Sequence, residues 1–352
     1  MNDHADQSPE PEDPPPRRRH TARLLMTILL VGAVAASTIA VAGVWMFHRA
    51  FAAPGPLSGD AVVVIPRGAS VRSIAALLEA EGIVGDAAVF SLGVRGFGGE
   101  RPLAAGEYAF SPAVSARDAM RILQSGKVVA RNLTIPEGLT AFQVLAMIGA
   151  AEGLRGELPP ANKIAEGSLL PETYQYVHSE RRRDVLARMQ KAMDETLSRL
   201  WRERSEGTSP LASPREALIL ASIVERETGK AAERPRVAAV FLNRLRRGMR
   251  LQSDPTVVYG LSQGAGVIGR PLTRTDLAAD HPYNTYIYAG LPPGPIANPG
   301  RGSLAAVLQP ATSKDLYFVA DGTGGHAFAR TLKQHNRNVA RWRRLQRQQR
   351  NR

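Results

Sequence analysis

Two glutamates stand two positions apart in Ala221-Ser222-Ile223-Val224-Glu225-Arg226-Glu227-Thr228, the stretch best suited to proton-transfer chemistry. Apolar neighbours disfavour the charged form of a carboxyl and raise its pKa, and an acid kept protonated near neutral pH is what general acid catalysis needs. At about 100° per helical residue the two side chains lie about 200° apart, so they cannot both face one substrate. Glu225 falls nearer the narrow polar sector marked by Arg215, Ser222 and Arg226, beside Leu218 and Ala221. This predicts Glu225 at a cleft lip, with Glu227, between Leu220 and Ile223, paired internally to a basic group. The same spacing also fits two structural glutamates paired with Arg226, Arg234 or Arg236.

The element that must hold these acids has clear ends. Ser213-Pro214-Arg215-Glu216 is a capping box with proline at the first helical position, and Gly229 is a stop. The helix predicted over 216–228 is apolar most of the way round, which marks it as buried. Before it, Arg183–Trp201 reads as a long helix. Further upstream, Ala61–Ile65 reads as a strand, Pro66-Arg67-Gly68 as a turn and Ser70–Glu81 as a helix, with another helix at Ser115–Leu123. The pattern restarts with a strand at Asn132–Ile135, the turn Pro136-Glu137-Gly138 and a helix at Thr140–Ile148. Two such strand–turn–helix units predict a small α+β module over 60–150 with an internal repeat. Val64-Ile65-Pro66-Arg67-Gly68-Ala69-Ser70-Val71 is loosely similar to a LysM module, which binds glycan strands.

Leu24–Phe47 holds 24 residues without a charge, enough to cross a ~30 Å hydrocarbon core and too long for a cleavable signal. Arg17, Arg18, Arg19 and Arg23 precede it. Positive charge stays inside, so residues 1–23 are expected to form a disordered, Pro-rich cytoplasmic tail and the rest to be exported. Residues 48–59 read as a flexible linker of about 20 Å reach, which would hold the exported part close to the bilayer. The chain has no cysteine, so disulfide and thiolate chemistry are excluded, and its seven His show no zinc-site spacing. Neither a metal nor another cofactor is expected. The net charge of +13 includes nine Lys or Arg between Arg330 and Arg352, with no acid. Outside the cytoplasm a nucleic-acid partner is not expected. Residues 343–352 then read as a basic tail for anionic lipid or wall polymer, or as a solvated helix end.

The helix motif is followed by Glu233-Arg234-Pro235, Val240-Phe241-Leu242-Asn243-Arg244-Leu245 and Gly248-Met249-Arg250-Leu251-Gln252-Ser253-Asp254-Pro255-Thr256. Then come Tyr283-Asn284-Thr285-Tyr286, Gly290-Leu291-Pro292-Pro293-Gly294-Pro295-Ile296-Ala297-Asn298-Pro299-Gly300, Tyr317-Phe318-Val319-Ala320-Asp321-Gly322, Gly324-Gly325-His326, Phe328 and His335-Asn336. In this order they resemble the endolytic murein transglycosylase, or YceG-like, family. The resemblance runs from the apolar span to about Trp342.

The resemblance implies a YceG-like catalytic domain over 151–342 that cuts the β-1,4 bond between N-acetylmuramic acid and N-acetylglucosamine in nascent peptidoglycan, leaving 1,6-anhydro ends. It maps the family's catalytic glutamate onto Glu225. A single acid suffices for such a reaction, because the muramic acid 6-hydroxyl on the same ring replaces water or an enzyme nucleophile. Gln252, Asp254, Tyr283, Asn284, Tyr286, Asn298 and His326 are the candidate sugar contacts, although Asp-Pro and Asn-Pro pairs also initiate turns without a substrate. Expected partners are glycan strands, the lipid bilayer and wall-synthesis proteins, and the expected location is the bacterial inner membrane with the catalytic domain in the periplasm. A non-catalytic wall-binding scaffold and a hydrolytic muramidase are the alternatives.

Overall fold

The computed structural model describes residues 17–205 and 210–350; of the tail expected to be disordered over 1–23, residues 1–16 lie outside the described residues, and 17–23 are corrected to the first turns of a helix. The chain divides into two compact units, Met1–Val128 and Val129–Arg352.

The first unit contains α1 (Arg17–Ala52), β1 (Ala61–Ile65), α2 (Val71–Ala80), α3 (Ala87–Phe97), β2 (Gly106–Phe110) and α4 (Ala116–Ser125). β1 and β2 pair antiparallel, Ala61 opposite Phe110 and Ile65 opposite Gly106. Alternation sends Val63, Ile65, Tyr108 and Phe110 inward, onto Ile74 and Leu78 of α2, Phe90 of α3 and Leu123 of α4. Ser70, Asp86 and Ser115 cap their helices by accepting backbone N–H bonds, which fixes where each begins.

Within α1, residues 23–52 are long and apolar enough to cross a membrane, and the large apolar side chains from Leu24 to Met46 are exposed. The helix does not end at 47. Phe51 is 1% exposed and belongs to the core of the unit. Its ring lies against Gly93 so closely that a Cβ there would collide with it. Phe47, Phe51 and Phe97 stack with centroids 6.0 Å apart. The flexible linker expected over 48–59 is therefore corrected: its first part is helix, Gly55 N–H donates to Val114 O at 3.1 Å, and Leu57 O accepts from Ala113 N at 2.8 Å. Aromatic burial overrides the Pro/Gly composition.

The second unit contains β3 (Ala130–Thr134), α5 (Ala141–Ala150), β4 (Thr173–Val177), α6 (Arg182–Arg202), α7 (Pro214–Glu227), α8 (Arg234–Arg246), α9 (Asp254–Leu261), α10 (Arg274–Leu277), α11 (Arg301–Leu308), β5 (Tyr317–Ala320), β6 (His326–Ala329) and α12 (Leu332–Arg350). β3 pairs antiparallel with β4, and β5 with β6. The boundary expected at 150/151 thus falls at 128/129, because the second strand–turn–helix repeat finds its strand partner in β4 rather than in β1 or β2. The basic stretch 343–350 continues α12 and is not a separate tail.

α7 is the centre of the second unit. Ser213 Oγ accepts from Glu216 N at 3.2 Å and Pro214 opens the helix, as the capping box predicts. Ala217, Leu220, Ala221, Ile223 and Val224 are buried among Val237, Phe241, Leu304 and Val307 of α8 and α11. From Ile219 to Val224 α7 is buried, so side chains reach solvent only from its first turns, where Arg215 is exposed, and from its last turn.

Candidate active site

The last turn of α7 carries both glutamates, and the structure reverses their expected environments. The Glu225 side chain is 4% exposed. Its Oε1 accepts from Arg234 Nη2 at 3.0 Å and its Oε2 from Gly300 N at 2.9 Å. Arg234 Nη2 also donates to Glu137 Oε2 at 2.7 Å. Burial raises the Glu225 pKa, and the Gly300 amide opposes the rise. Both carboxylate oxygens are thus engaged by donors, which fixes the side chain in place. Arg226 adds a bond to Gly138 O at 3.2 Å. Together these bonds clamp the end of α7 to the Pro136-Glu137-Gly138 turn, the start of α8 and the start of α11.

Glu227 turns the other way, into a cleft of about 450 Å³ shared with Arg244, Gln252, Asp254, Tyr286, Phe318 and His335. It has no ion-pair partner among the described residues; Ser253 Oγ donates to its Oε1 at 2.5 Å. Burial pushes the Glu227 carboxyl up to about 7, the Ser253 hydroxyl pulls it down, and the Asp254 carboxylate adds to the rise. Arg244 is largely buried and reaches the carbonyls of Leu316 (2.7 Å) and Leu251 (2.7 Å), which seats it behind the cleft.

The loop before α9 brings the polar groups in. Gln252 has φ +54°, a left-handed conformation that a non-glycine residue adopts only at a cost. Its N–H donates to Thr285 O at 3.1 Å and its Oε1 accepts from Arg244 Nη1 at 3.4 Å. Ser253 N–H donates to Thr285 Oγ1 at 3.0 Å. These bonds hold Gln252 and Asp254 at the cleft mouth and aim the Ser253 hydroxyl at Glu227. Tyr286 Oη donates to Asp254 Oδ1 at 2.6 Å.

Of the residues selected from sequence, Gln252, Asp254 and Tyr286 share this cleft, and Glu225 does not line it. The remaining selections do not line it. Asn284 is 1% exposed; its Nδ2 donates to Leu277 O and Ala279 O and its Oδ1 accepts from Tyr286 N. Asn298, fully buried, accepts from Leu169 N and donates to Leu139 O. Both amides spend their capacity on the backbone of folded loops. Tyr283 packs on Tyr259, rings 4.9 Å apart, away from Glu227. His326 pairs through Nδ1 with Glu233 at 2.7 Å and stands edge-on behind Phe318. Glu172 accepts from Arg301.

Sequence reasoning did not select Glu227, Arg244 and His335, which line this cleft, or Ser253, which bonds to Glu227. All four lie inside the motifs, but helical angle alone could not say which side of α7 would be covered. A second buried acid was also missed. Glu166 accepts from Ala141 N and Gly167 N, takes a bond from Tyr259 Oη, and burial pushes it up to about 7; it ties loops together away from the cleft. A separate cavity of about 600 Å³ beside α6 is lined by the exposed acids Asp194 and Glu195 together with Arg199, Arg202 and Arg301.

A profile of the YceG-like family matches residues 63–341. Endolytic murein transglycosylases from two strains of Streptococcus pneumoniae are 31% identical over 79% of this chain and 57% of theirs. The chain therefore spans little more than half the length of those relatives. An endolytic murein transglycosylase from Bacillus subtilis is 32% identical over 78% of this chain and 82% of its own. A crystal structure of a yceG-like protein from Listeria monocytogenes is 33% identical, covers 80% of this chain and 99% of that one, and superposes with a TM-score of 0.48.

Proposed function

The chain belongs to the YceG-like family, and from that premise we propose that it is a membrane-anchored lytic transglycosylase that cuts peptidoglycan strands internally, with Glu227 as its acid. One observation carries the assignment of the acid: Glu227 opens into the cleft of Gln252, Asp254 and Tyr286 and forms no ion pair among the described residues, although Arg244 and His326 act on it from further off. Its elevated pKa keeps a proton on it near neutral pH, where Glu225 is held by a guanidinium.

In this reading Glu227 gives its proton to the glycosidic oxygen between N-acetylmuramic acid and N-acetylglucosamine as that bond breaks. Positive charge develops at C1, and the Asp254 carboxylate, fixed by Tyr286, offsets it. Glu227, now ionised and steadied by Ser253, takes the proton of the muramic acid 6-hydroxyl as that oxygen closes on C1. The product is a 1,6-anhydro end and the enzyme regains its proton. No external nucleophile is needed, because ring closure is intramolecular. The β1–α2–α3–β2 unit would supply further glycan contact, and α1 would span the inner membrane with the arginine-rich end inside.

Asp254 in the same cleft gives a second reading, a hydrolytic muramidase in which it activates water. Digestion of isolated glycan strands, followed by mass spectrometry, separates the two by one water per new end. The wild type and Glu225→Gln should yield anhydro ends, and Glu227→Gln should lose 10²-fold or more in rate, on the order expected for a general acid. Wild-type rates from Glu227→Gln would remove the assignment, and products carrying the extra water would favour hydrolysis.

A further inference from the structure

At the foot of α1, within the first unit, lies a cavity of about 720 Å³ whose lining is unlike that of the catalytic cleft. Phe51 and Phe97 form its apolar floor, and His48, Arg101, Arg117 and Arg121 bring basic groups to it. Glu100 is the one acid that lines it, and it is exposed. Arg121 is engaged by Asp118 at 3.3 Å. Arg101 and Arg117 have no carboxylate partner among the described residues, and the Arg117 Nε is buried without a hydrogen-bond acceptor. A buried guanidinium N–H without an acceptor is costly, so the geometry leaves a place for an anionic oxygen. Arg117 also sits in the first turn of α4, where the helix dipole disfavours a cation, so helix formation does not account for it.

The depth of the cavity says which anion. The uncharged stretch Leu24–Phe47 is about 36 Å long at the rise of an α-helix, slightly more than a ~30 Å hydrocarbon core. His48 follows at once and lines the cavity, and its ring lies 4.5 Å from that of Phe97. Trp45, with the Arg49 guanidinium 5.5 Å from its ring, marks the interface one turn below. Phe97 and Leu92 of α3 stay exposed at 46% and 55%. Because Phe51 is locked into the core, this face of the unit is held at a constant height relative to α1.

We propose that the cavity binds the phosphate headgroup of an anionic phospholipid, with Arg101 and Arg117 on the phosphate and Phe97 against the glycerol and upper acyl chain. The proposal rests on the reading of α1 as a membrane span. It makes the first unit a membrane-seated body rather than one swinging on a tether.

The test uses the full chain. Flotation with phosphatidylcholine vesicles first reports whether α1 anchors the protein; failure to float overturns the anchoring and the headgroup site together. Native mass spectrometry of the detergent-extracted chain then compares phosphatidylglycerol with phosphatidylcholine. Preferential retention of phosphatidylglycerol is expected, reduced about 30-fold in Arg101→Gln/Arg117→Gln, the effect of two basic charges at a membrane surface. If the melting profile shows that the double variant does not fold, Arg101→Gln alone, on an exposed loop, should lose about fivefold. Equal retention of the two lipids, or undiminished retention by the variants, overturns the proposal while leaving the anchor intact. Displacement of the lipid by equimolar inorganic phosphate would identify a free-anion site and overturn the lipid assignment.

Discussion

Replacing Ser253 with alanine isolates the tuning of the cleft acid. The Ser253 hydroxyl donates to Glu227 and the Ser253 amide to Thr285, so the substitution removes the first bond and keeps the second. A hydrogen bond to a charged acceptor contributes about 1.5–3 kcal/mol. Water entering the open cleft recovers part of this, so the lower end applies, and at 1.36 kcal/mol per unit the change is about one pKa unit. The sign follows from the donor: the hydroxyl favours the ionised form, so its loss favours the protonated acid. The fall in rate on the alkaline side, set near pH 7 by Glu227, should therefore move to about pH 8. The assay is kcat for anhydro-end release from glycan strands between about pH 5 and 9, with a melting curve to confirm folding. A limb that stays in place, or moves to lower pH, would refute the assignment of Glu227 as the titrating acid.

Glu227→Gln should abolish activity yet stabilise the protein at alkaline pH. The folded-state pKa of about 7 lies above the ordinary 4.5, so the stability gained from binding that proton is complete below about pH 4.5 and is lost as pH rises through 7. At pH 8 the glutamine variant should be more stable by up to ~3 kcal/mol, shrinking toward zero at acid pH in denaturant titrations. Arg234→Ala leaves Glu225 buried and unpaired, and loss of about 3 kcal/mol is expected, read as a drop of roughly 6–12 °C in Tm. Residual activity in that variant should keep the wild-type alkaline limb, because the clamp positions the helix and does not titrate in the reaction. Phe51→Ala removes the aromatic that joins α1 to its unit and should cost about 3–5 kcal/mol in that unit alone, measured by hydrogen exchange of β1 and β2.

Much of the local structure was legible because its causes are local. The Ser213–Glu216 box, the proline at 214 and the apolar run after it specify α7 without reference to the rest of the chain. The caps at Ser70, Ser115 and Thr140 did the same for α2, α4 and α5. The ordered motifs were enough to assemble Gln252, Asp254 and Tyr286 as candidates for one cleft. Tertiary partners decided the rest. β3 reads as a repeat of β1 until β4 is seen to pair with it, and a Pro/Gly-rich stretch reads as a linker until Phe51 is found in a core. That the amides of Asn284 and Asn298 bond to backbone carbonyls is visible only in the folded loops.

The glutamate pair shows the division most sharply. Periodicity established that Glu225 and Glu227 diverge on one buried helix and that only one could serve a substrate. It could not say which, because the polarity of a helix face is set by what packs on it. Arg234 and the Gly300 amide, distant in sequence from one another, close around Glu225, while the Gln252–Asp254 loop leaves space in front of Glu227. Sequence alone determined that this chain carries acids on a buried helix behind an apolar N-terminal span; which carboxyl lines the cleft was decided by long-range contacts, since the surroundings of a side chain are set by what packs on its helix.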